Sequence, residues 1–217
     1  MKIGVLGTGV VGRTISSRLI ELGHEVKMGS RSANNEAARN WVSANGENAS
    51  NGTFGDAAAF ADSLVFNCTK GEYSISVLSL AGEYNMEDKV LVDISNPLDF
   101  SRGMPPRLSI CNDDSLAEQI QEAFPSVRVV KTLNTMNCNI MLNPERVSGD
   151  HNVFLSGNDV SAKADVIDLL KSAGWKVSNI IDLGDITTAR GTEMLLPVWI
   201  RLWSALGTTD FNFHIAR

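Results

Sequence analysis

The chain is poor in cysteine. Cys68, Cys111 and Cys138 are odd in number, far apart and without a C-x-x-C pair. That excludes a disulfide framework and the usual zinc-ligand spacings, and it makes reduced thiols in a cytoplasmic setting the expectation. No metal site is expected. Positive charge is in deficit, with 19 Lys and Arg against 25 Asp and Glu, a net charge of −6. This argues against nucleic acid or an anionic membrane as partner. No apolar run approaches the length of a membrane-spanning helix. The first residues read at once as a core strand, which leaves no room for a signal peptide. There is no H-E-x-x-H, G-x-S-x-G or Walker pattern. The Y-x-x-x-K pair of many small reductases is also missing, since Tyr73 is followed at +4 by Val77 and Tyr84 by Asp88.

What is present starts at residue 2. Lys2 to Leu6 is a short, mostly apolar run suited to a buried parallel strand. Gly7-Thr8-Gly9-Val10-Val11-Gly12 follows immediately and fits G-x-G-x-x-G. In that pattern Gly7 makes a tight turn, Gly9 lets a pyrophosphate approach the backbone, and Gly12 lets the next helix pack against the strand. Ile15, Leu19 and Leu22 give the helix one apolar face, Gly23 ends it, and a second strand begins at Glu25. Free N–H groups and the positive dipole end of this helix suit a dinucleotide phosphate.

The end of the second strand selects the dinucleotide. A site for NAD usually carries an acid there for the ribose 2′-OH; this chain has Gly29-Ser30-Arg31. A guanidinium beside a hydroxyl suits a 2′-phosphate, so NADP(H) is the expected cofactor, with Ser30 and Arg31 as its clamp and Gly29 leaving the approach open.

With GTGVVG and GHEVKMGSR, the sequence resembles the coenzyme F420-dependent NADP oxidoreductases. The related reductase domains of the STEAP metalloreductases share the same start. ISNPL at 94–98, VVKTLN at 129–134 and ARGTEMLLPVWIRL at 189–202 extend the resemblance over nearly the whole chain. It implies an NADP-binding domain that exchanges hydride with a deazaflavin or flavin-like acceptor. The family pattern expects His where this chain has Asn134, and often Pro where it has Asn137.

The rest of the chain alternates strands with helices. A polar helix is expected over 34–44, a short strand near 52–54, and a helix over 57–61 capped by Asp56. Strands at 64–68, 89–94, 127–133, 152–156 and 176–182 alternate with helices at 73–81, 115–124 and 162–173. The fold class is therefore a Rossmann-type, doubly wound, mostly parallel α/β sheet. Residues 1–184 would form the NADP-binding domain. Residues 185–217 would form a helical extension packed on that domain or on a second copy in a homodimer. One long helix is expected over 186–205, kinked or broken at Pro197.

Ligands of open α/β sheets bind beyond the carboxyl ends of the strands. That places Asn67, Cys68, Thr69 and Lys70 after the fourth strand, Asn96 and Pro97 after the fifth and Asn134 after the sixth in the cofactor cleft. Lys131 lies near the same edge as a further phosphate or oxygen contact. Asn96 has two readings, a contact to the nicotinamide or a turn cap. No catalytic acid–base pair is evident. His24 and His151 precede strands, which puts them at the opposite end of a parallel sheet, and His214 is in the tail. Hydride exchange between two ring cofactors needs stacking, proximity and excluded water more than proton machinery. The expected function is hydride transfer between NADP(H) and a flavin-like acceptor. The alternatives are a non-catalytic NADP-binding sensor or subunit, and a reductase of a small carbonyl compound.

Overall fold

The computed structural model describes residues 1–216; Arg217, the last residue of the expected extension, lies outside the described residues. The strands are β1 (Lys2–Leu6), β2 (Glu25–Ser30), β3 (Ala49–Thr53), β4 (Leu64–Asn67), β5 (Val90–Asp93), β6 (Leu98–Asp99), β7 (Arg107–Leu108), β8 (Arg128–Thr132), β9 (Val153–Ser156) and β10 (Ile180–Asp182). The α-helices are α1 (Val10–Glu21), α2 (Glu36–Asn45), α3 (Phe54–Phe60), α4 (Ser74–Ala81), α5 (Glu83–Met86), α6 (Leu116–Ala123), α7 (Cys138–Met141), α8 (Val160–Ser172), α9 (Ala189–Met194) and α10 (Leu196–Leu206).

Eight strands form one sheet in the order β10-β9-β8-β5-β4-β1-β2-β3. The six from β3 to β8 are parallel, β9 runs antiparallel to β8, and β10 runs with β9. Successive residues of each central strand face opposite layers, as the two-residue period of a strand requires. Val90 and Val92 join the core under α1, α2 and α8, while Leu91 joins the core under α3, α4 and α6. Both faces are covered, so the strands read as near-continuous apolar runs. Phe66, Leu19 and Ile120 are among the side chains wholly removed from water, each contributing ~1.5–3 kcal/mol by burial. This is the doubly wound Rossmann architecture, with helices at its carboxyl-terminal end.

The structure corrects several expectations. α3 begins earlier than expected, because Thr53 and not Asp56 is its cap. The Asp56 amide donates to the Thr53 hydroxyl at 3.1 Å and the Thr53 amide donates to the Asp56 carboxylate at 2.8 Å, a reciprocal capping box. The expected helix over 186–205 is a 3₁₀ turn, then α9, then α10, with the break at Leu195. Pro197 lies in the first turn of α10, where a missing N–H costs no helical hydrogen bond.

His151 does not lie at the opposite end of the sheet. Because β9 runs backwards, its amino-terminal end meets the carboxyl edge of β8. The ring nevertheless stays out of any cleft chemistry. It is buried, its Nε2 lies 3.0 Å from the Pro144 carbonyl oxygen, its Nδ1 lies 2.8 Å from Asn212 Nδ2, and its edge meets Trp175. His24 is at the amino edge as expected; burial and then the N-terminal charge lower its pKa.

Candidate active site

β1 delivers the chain into a turn that only glycine accommodates. Gly7 has φ +121°, and a Cβ there would lie 2.8 Å from the Cys68 carbonyl oxygen. A Cβ on Gly12 would lie 2.1 Å from the Gly7 carbonyl oxygen, so α1 packs against the turn only because Gly12 lacks one. Above Gly9 a Cβ would meet nothing, which leaves the backbone open to a bulky anion. Gly9 caps α1 without a side chain, and the first turn of the helix carries no acid. Its N–H groups are thus available to a phosphate. Arg13 Nη1 donates to the Thr8 carbonyl at 2.6 Å and braces the loop from behind. Val10 is exposed beside the turn and half-buried Val11 reaches the cavity described below.

At the end of β2, Arg31 is exposed and has no carboxylate partner among the described residues; its guanidinium lies over the Tyr73 ring, 5.7 Å from the centroid. Ser30 is placed differently from the expected clamp. It is buried, and its hydroxyl donates to the Ser32 carbonyl at 2.6 Å and accepts from the Ser32 amide. It shapes the turn, and exposed Ser32 is the hydroxyl presented beside Arg31. Gly29 does not hold the approach open either. A Cβ there would lie 2.9 Å from the Ala57 Cβ, so glycine is required for β2 to pack on α3.

Beneath the strand ends lies a buried polar network. Asn67 is not a cleft side chain: it is wholly buried, its amide donates to Asp93 at 2.8 Å and to Ser74 at 3.0 Å, and its oxygen accepts from the Thr69 hydroxyl at 2.6 Å. It fixes Thr69 at the rim. Lys131 is also withdrawn from the cleft. Its Nζ lies 2.8 Å from Asp93, 2.7 Å from Glu193 and 2.5 Å from the Ser95 carbonyl oxygen. Burial alone would lower its pKa; Asp93 and then Glu193 outweigh burial and raise it, so the cation persists at ordinary pH. Glu193 also accepts from the amides of Leu116 and Ala117, the start of α6. An acid inside an apolar strand (Asp93) and another inside an apolar helix (Glu193) were visible signals of buried pairing. Their shared partner was not.

Over the carboxyl ends opens a cavity of about 330 Å³. Cys68, Thr69, Lys70, Asn96 and Asn134 line it, while Pro97 turns away beside Ser109 and Gln119. Asn96 Nδ2 donates to the Asn134 carbonyl at 3.0 Å, and Asn134 Nδ2 donates to Asn96 Oδ1 at 2.9 Å. The pair ties the ends of β5 and β8 together. Asn134 follows Leu133, which is held at φ +61°, a left-handed conformation unfavourable for a leucine. Burial pushes the Cys68 thiol well up, with Asp93 adding to it, so it is no thiolate nucleophile. Ser95 and Asn137 add polar groups, and one wall is apolar: Leu98 and Phe100 from the β6–β7 hairpin, and Leu196 and Trp199 from α10. Neither Phe100 nor Trp199 was singled out as a site residue from sequence.

A glycine turn at a helix start, a free arginine after β2 and an amide-lined cavity beyond β4, β5 and β8 define a dinucleotide-binding oxidoreductase of the Rossmann class, and the residues present fit NADP. The model of the family described as NADP oxidoreductase, coenzyme F420-dependent, matches residues 2–97. A crystal structure assigned as an F420-dependent NADP reductase from Arthrobacter sp. FB24 is 56% identical, with a TM-score of 0.94 and full coverage of both chains. Metalloreductase STEAP3 of Rattus norvegicus is 28% identical over 202 residues, which is 91% of this chain and 38% of the metalloreductase. The chain thus spans little more than a third of the length of the curated relatives it matches. Pyrroline carboxylate reductase of Plasmodium falciparum, solved with NADP bound, shares the fold at 14% identity and TM-score 0.59, covering 95% of this chain and 67% of that one. The chain belongs to the coenzyme F420-dependent NADP oxidoreductase family. That family is one of NADP oxidoreductases.

Proposed function

We propose that the enzyme exchanges hydride between NADP(H) and a planar deazaflavin or flavin-like acceptor in the cavity beyond β4, β5 and β8. The observation that carries this reading is the lining of that cavity. Among the described residues it presents amides, hydroxyls, Lys70 and an apolar wall, with no Asp, Glu, His or Tyr. A carbonyl substrate needs a positioned proton donor; a ring acceptor needs an apolar slot and a close approach.

In this reading Gly7 to Gly12 and the start of α1 hold the pyrophosphate. Arg31, with Ser32 beside it, holds the 2′-phosphate, and Lys70 is a further cation at the rim. Asn96 and Asn134 orient the nicotinamide end, and Thr69 is held ready by Asn67. Bound at this site, NADPH would supply the hydride that reduces the acceptor, which would also take up one proton from solvent. The hairpin and α10 exclude water from that exchange. Residues 1–184 bind the cofactor, and the extension from 185 closes the acceptor side. The three free cysteines support a reducing cytoplasmic setting. Val198, Trp203 and Leu206, exposed on α10, support a homodimer, which light scattering would test.

The test is NADPH oxidation in the presence of coenzyme F420, FMN, FAD, quinones and ferric chelates in turn. Turnover with F420 or a flavin is expected. Bound NADPH that no acceptor oxidises would overturn the reading.

A further inference from the structure

Arg31 and Tyr73 touch although they follow strands that are not neighbours. Arg31 comes directly after β2, and Tyr73 closes the 3₁₀ turn Gly71–Tyr73 that follows β4. In the sheet β1 lies between β2 and β4. Adjacent strands stand about 4.8 Å apart, so the two side chains meet only by reaching past the carboxyl end of β1. That end is the glycine turn. The Gly7 amide donates to the Gly29 carbonyl at 3.0 Å on one side, and a Cβ on Gly7 would lie 2.8 Å from the Cys68 carbonyl oxygen on the other. The Arg31–Tyr73 contact therefore spans the stretch over which a dinucleotide would run.

Both backbones are pinned. Ser30, just before Arg31, closes on Ser32. A Cβ on Gly71 would lie 2.2 Å from the Asn96 carbonyl oxygen, so the turn carrying Tyr73 sits hard against the loop after β5. Ser74, just after Tyr73, is wholly buried; its hydroxyl accepts from Asn67 Nδ2 at 3.0 Å and donates to the Ser95 hydroxyl at 3.2 Å. Tyr73 itself is 43% exposed, so core packing does not account for an aromatic side chain there. What its ring holds is the Arg31 guanidinium, 5.7 Å from the centroid. An exposed arginine samples many rotamers and loses them when it seats an anion. A ring face restrains the cation beforehand and, unlike a carboxylate, does not compete with phosphate oxygens for its N–H donors.

We infer that Tyr73 is a positioning residue for coenzyme choice, whose ring holds Arg31 beside the glycine turn in readiness for the 2′-phosphate. The inference rests on the role proposed above for Arg31 and deepens it. The experiment is isothermal titration of the full chain with NADPH and with NADH, for wild type, Tyr73→Leu, Tyr73→Phe, Arg31→Ala and the Arg31→Ala/Tyr73→Leu double variant. Tyr73→Leu is expected to raise the NADPH Kd roughly two- to fivefold, the range for a cation–π contact at an exposed site, and to leave the NADH Kd in place. Tyr73→Phe keeps the ring face and is expected to bind NADPH as wild type does. Once Arg31 is alanine, Tyr73→Leu is expected to change nothing further.

Unaltered NADPH affinity in Tyr73→Leu overturns the inference. An equal loss for NADPH and NADH also overturns it, by setting the ring against a part the two coenzymes share. A loss that persists without Arg31 overturns it as well. With Arg31→Ala still weakening NADPH alone, each of these outcomes leaves the proposed clamp standing. An Arg31→Ala variant that weakens both coenzymes equally, or neither, removes clamp and inference together. Should Tyr73→Leu fail to fold, Tyr73→Ser supplies a second ring-free side chain at this exposed position, with the same expected and overturning results.

Discussion

Lys131 and Glu193 meet at 2.7 Å inside the protein, the lysine on a central strand and the glutamate on the short helix before α10, both shielded from water. With Asp93 they make a buried cation between two anions, and the same lysine holds the Ser95 carbonyl just before Asn96. The carboxyl-terminal segment is thereby locked to the loop that lines the cavity.

Removing the cation leaves two buried carboxylates uncompensated. Lys131→Met is expected to destabilise the fold by about 3–5 kcal/mol, read from urea denaturation at neutral pH. Combining it with Glu193→Gln should cost less than the sum of the single changes. Strict additivity would mean the two groups do not act together.

In the proposed function Arg31 carries the choice of coenzyme. Arg31→Ala is expected to weaken NADPH binding by roughly 1.5–3 kcal/mol, the range for hydrogen bonds to charged groups, with NADH binding barely altered. Isothermal titration with both coenzymes checks it, and equal losses would take the phosphate away from Arg31.

The glycine turn tolerates no side chain at its third position. Gly12→Ala sets a methyl 2.1 Å from the Gly7 carbonyl oxygen, so α1 must move. A loss of about 1–3 kcal/mol in stability is expected from overpacking, with NADPH affinity falling as well. A variant with wild-type melting and wild-type affinity would show that the helix does not need its close seat.

The Asn96–Asn134 pair is expected to govern turnover more than grip. Asn96→Ala removes the tie between the two strand ends while the phosphate contacts remain. Steady-state kinetics should show kcat lowered on the order of 10–100-fold, the scale of a small misplacement of reacting groups, with NADPH affinity nearly intact.

The hairpin over the cavity has an acid-sensitive anchor. Asp99 accepts from the Ser101 amide at 2.8 Å and from Arg107 at 2.6 Å. The Ser101 hydrogen bond and then Arg107 hold its pKa down at about 2. A carboxylate depressed in the folded state stabilises fully above its unfolded value, about 3.9, and less as pH falls toward 2. Wild type should therefore lose thermal stability between about pH 4 and pH 2 more steeply than Asp99→Asn. Parallel curves would remove Asp99 from the acid response.

Much of this protein was legible from its first thirty-one residues. The run from Lys2 to Leu6, the spacing of Gly7, Gly9 and Gly12, and the absence of an acid at Ser30-Arg31 are local features. Their physical meaning depends on chain geometry within a few residues, so the sequence alone determined the Rossmann class and the NADP-type cofactor. Other features depended on partners far along the chain. Asn67 and Lys131 stood at the correct strand ends and still turned inward, because Asp93 and Glu193 met them there. Ser30 closed on its own turn and left Ser32 outside. His151 changed edges because β9 enters the sheet backwards, and Trp199 became a cavity wall only when α10 broke from α9 and packed across the hairpin. Strand direction, burial and ion pairing are set by the whole packing arrangement, and only the tertiary structure decided which polar groups were consumed inside the fold and which were left to meet a ligand.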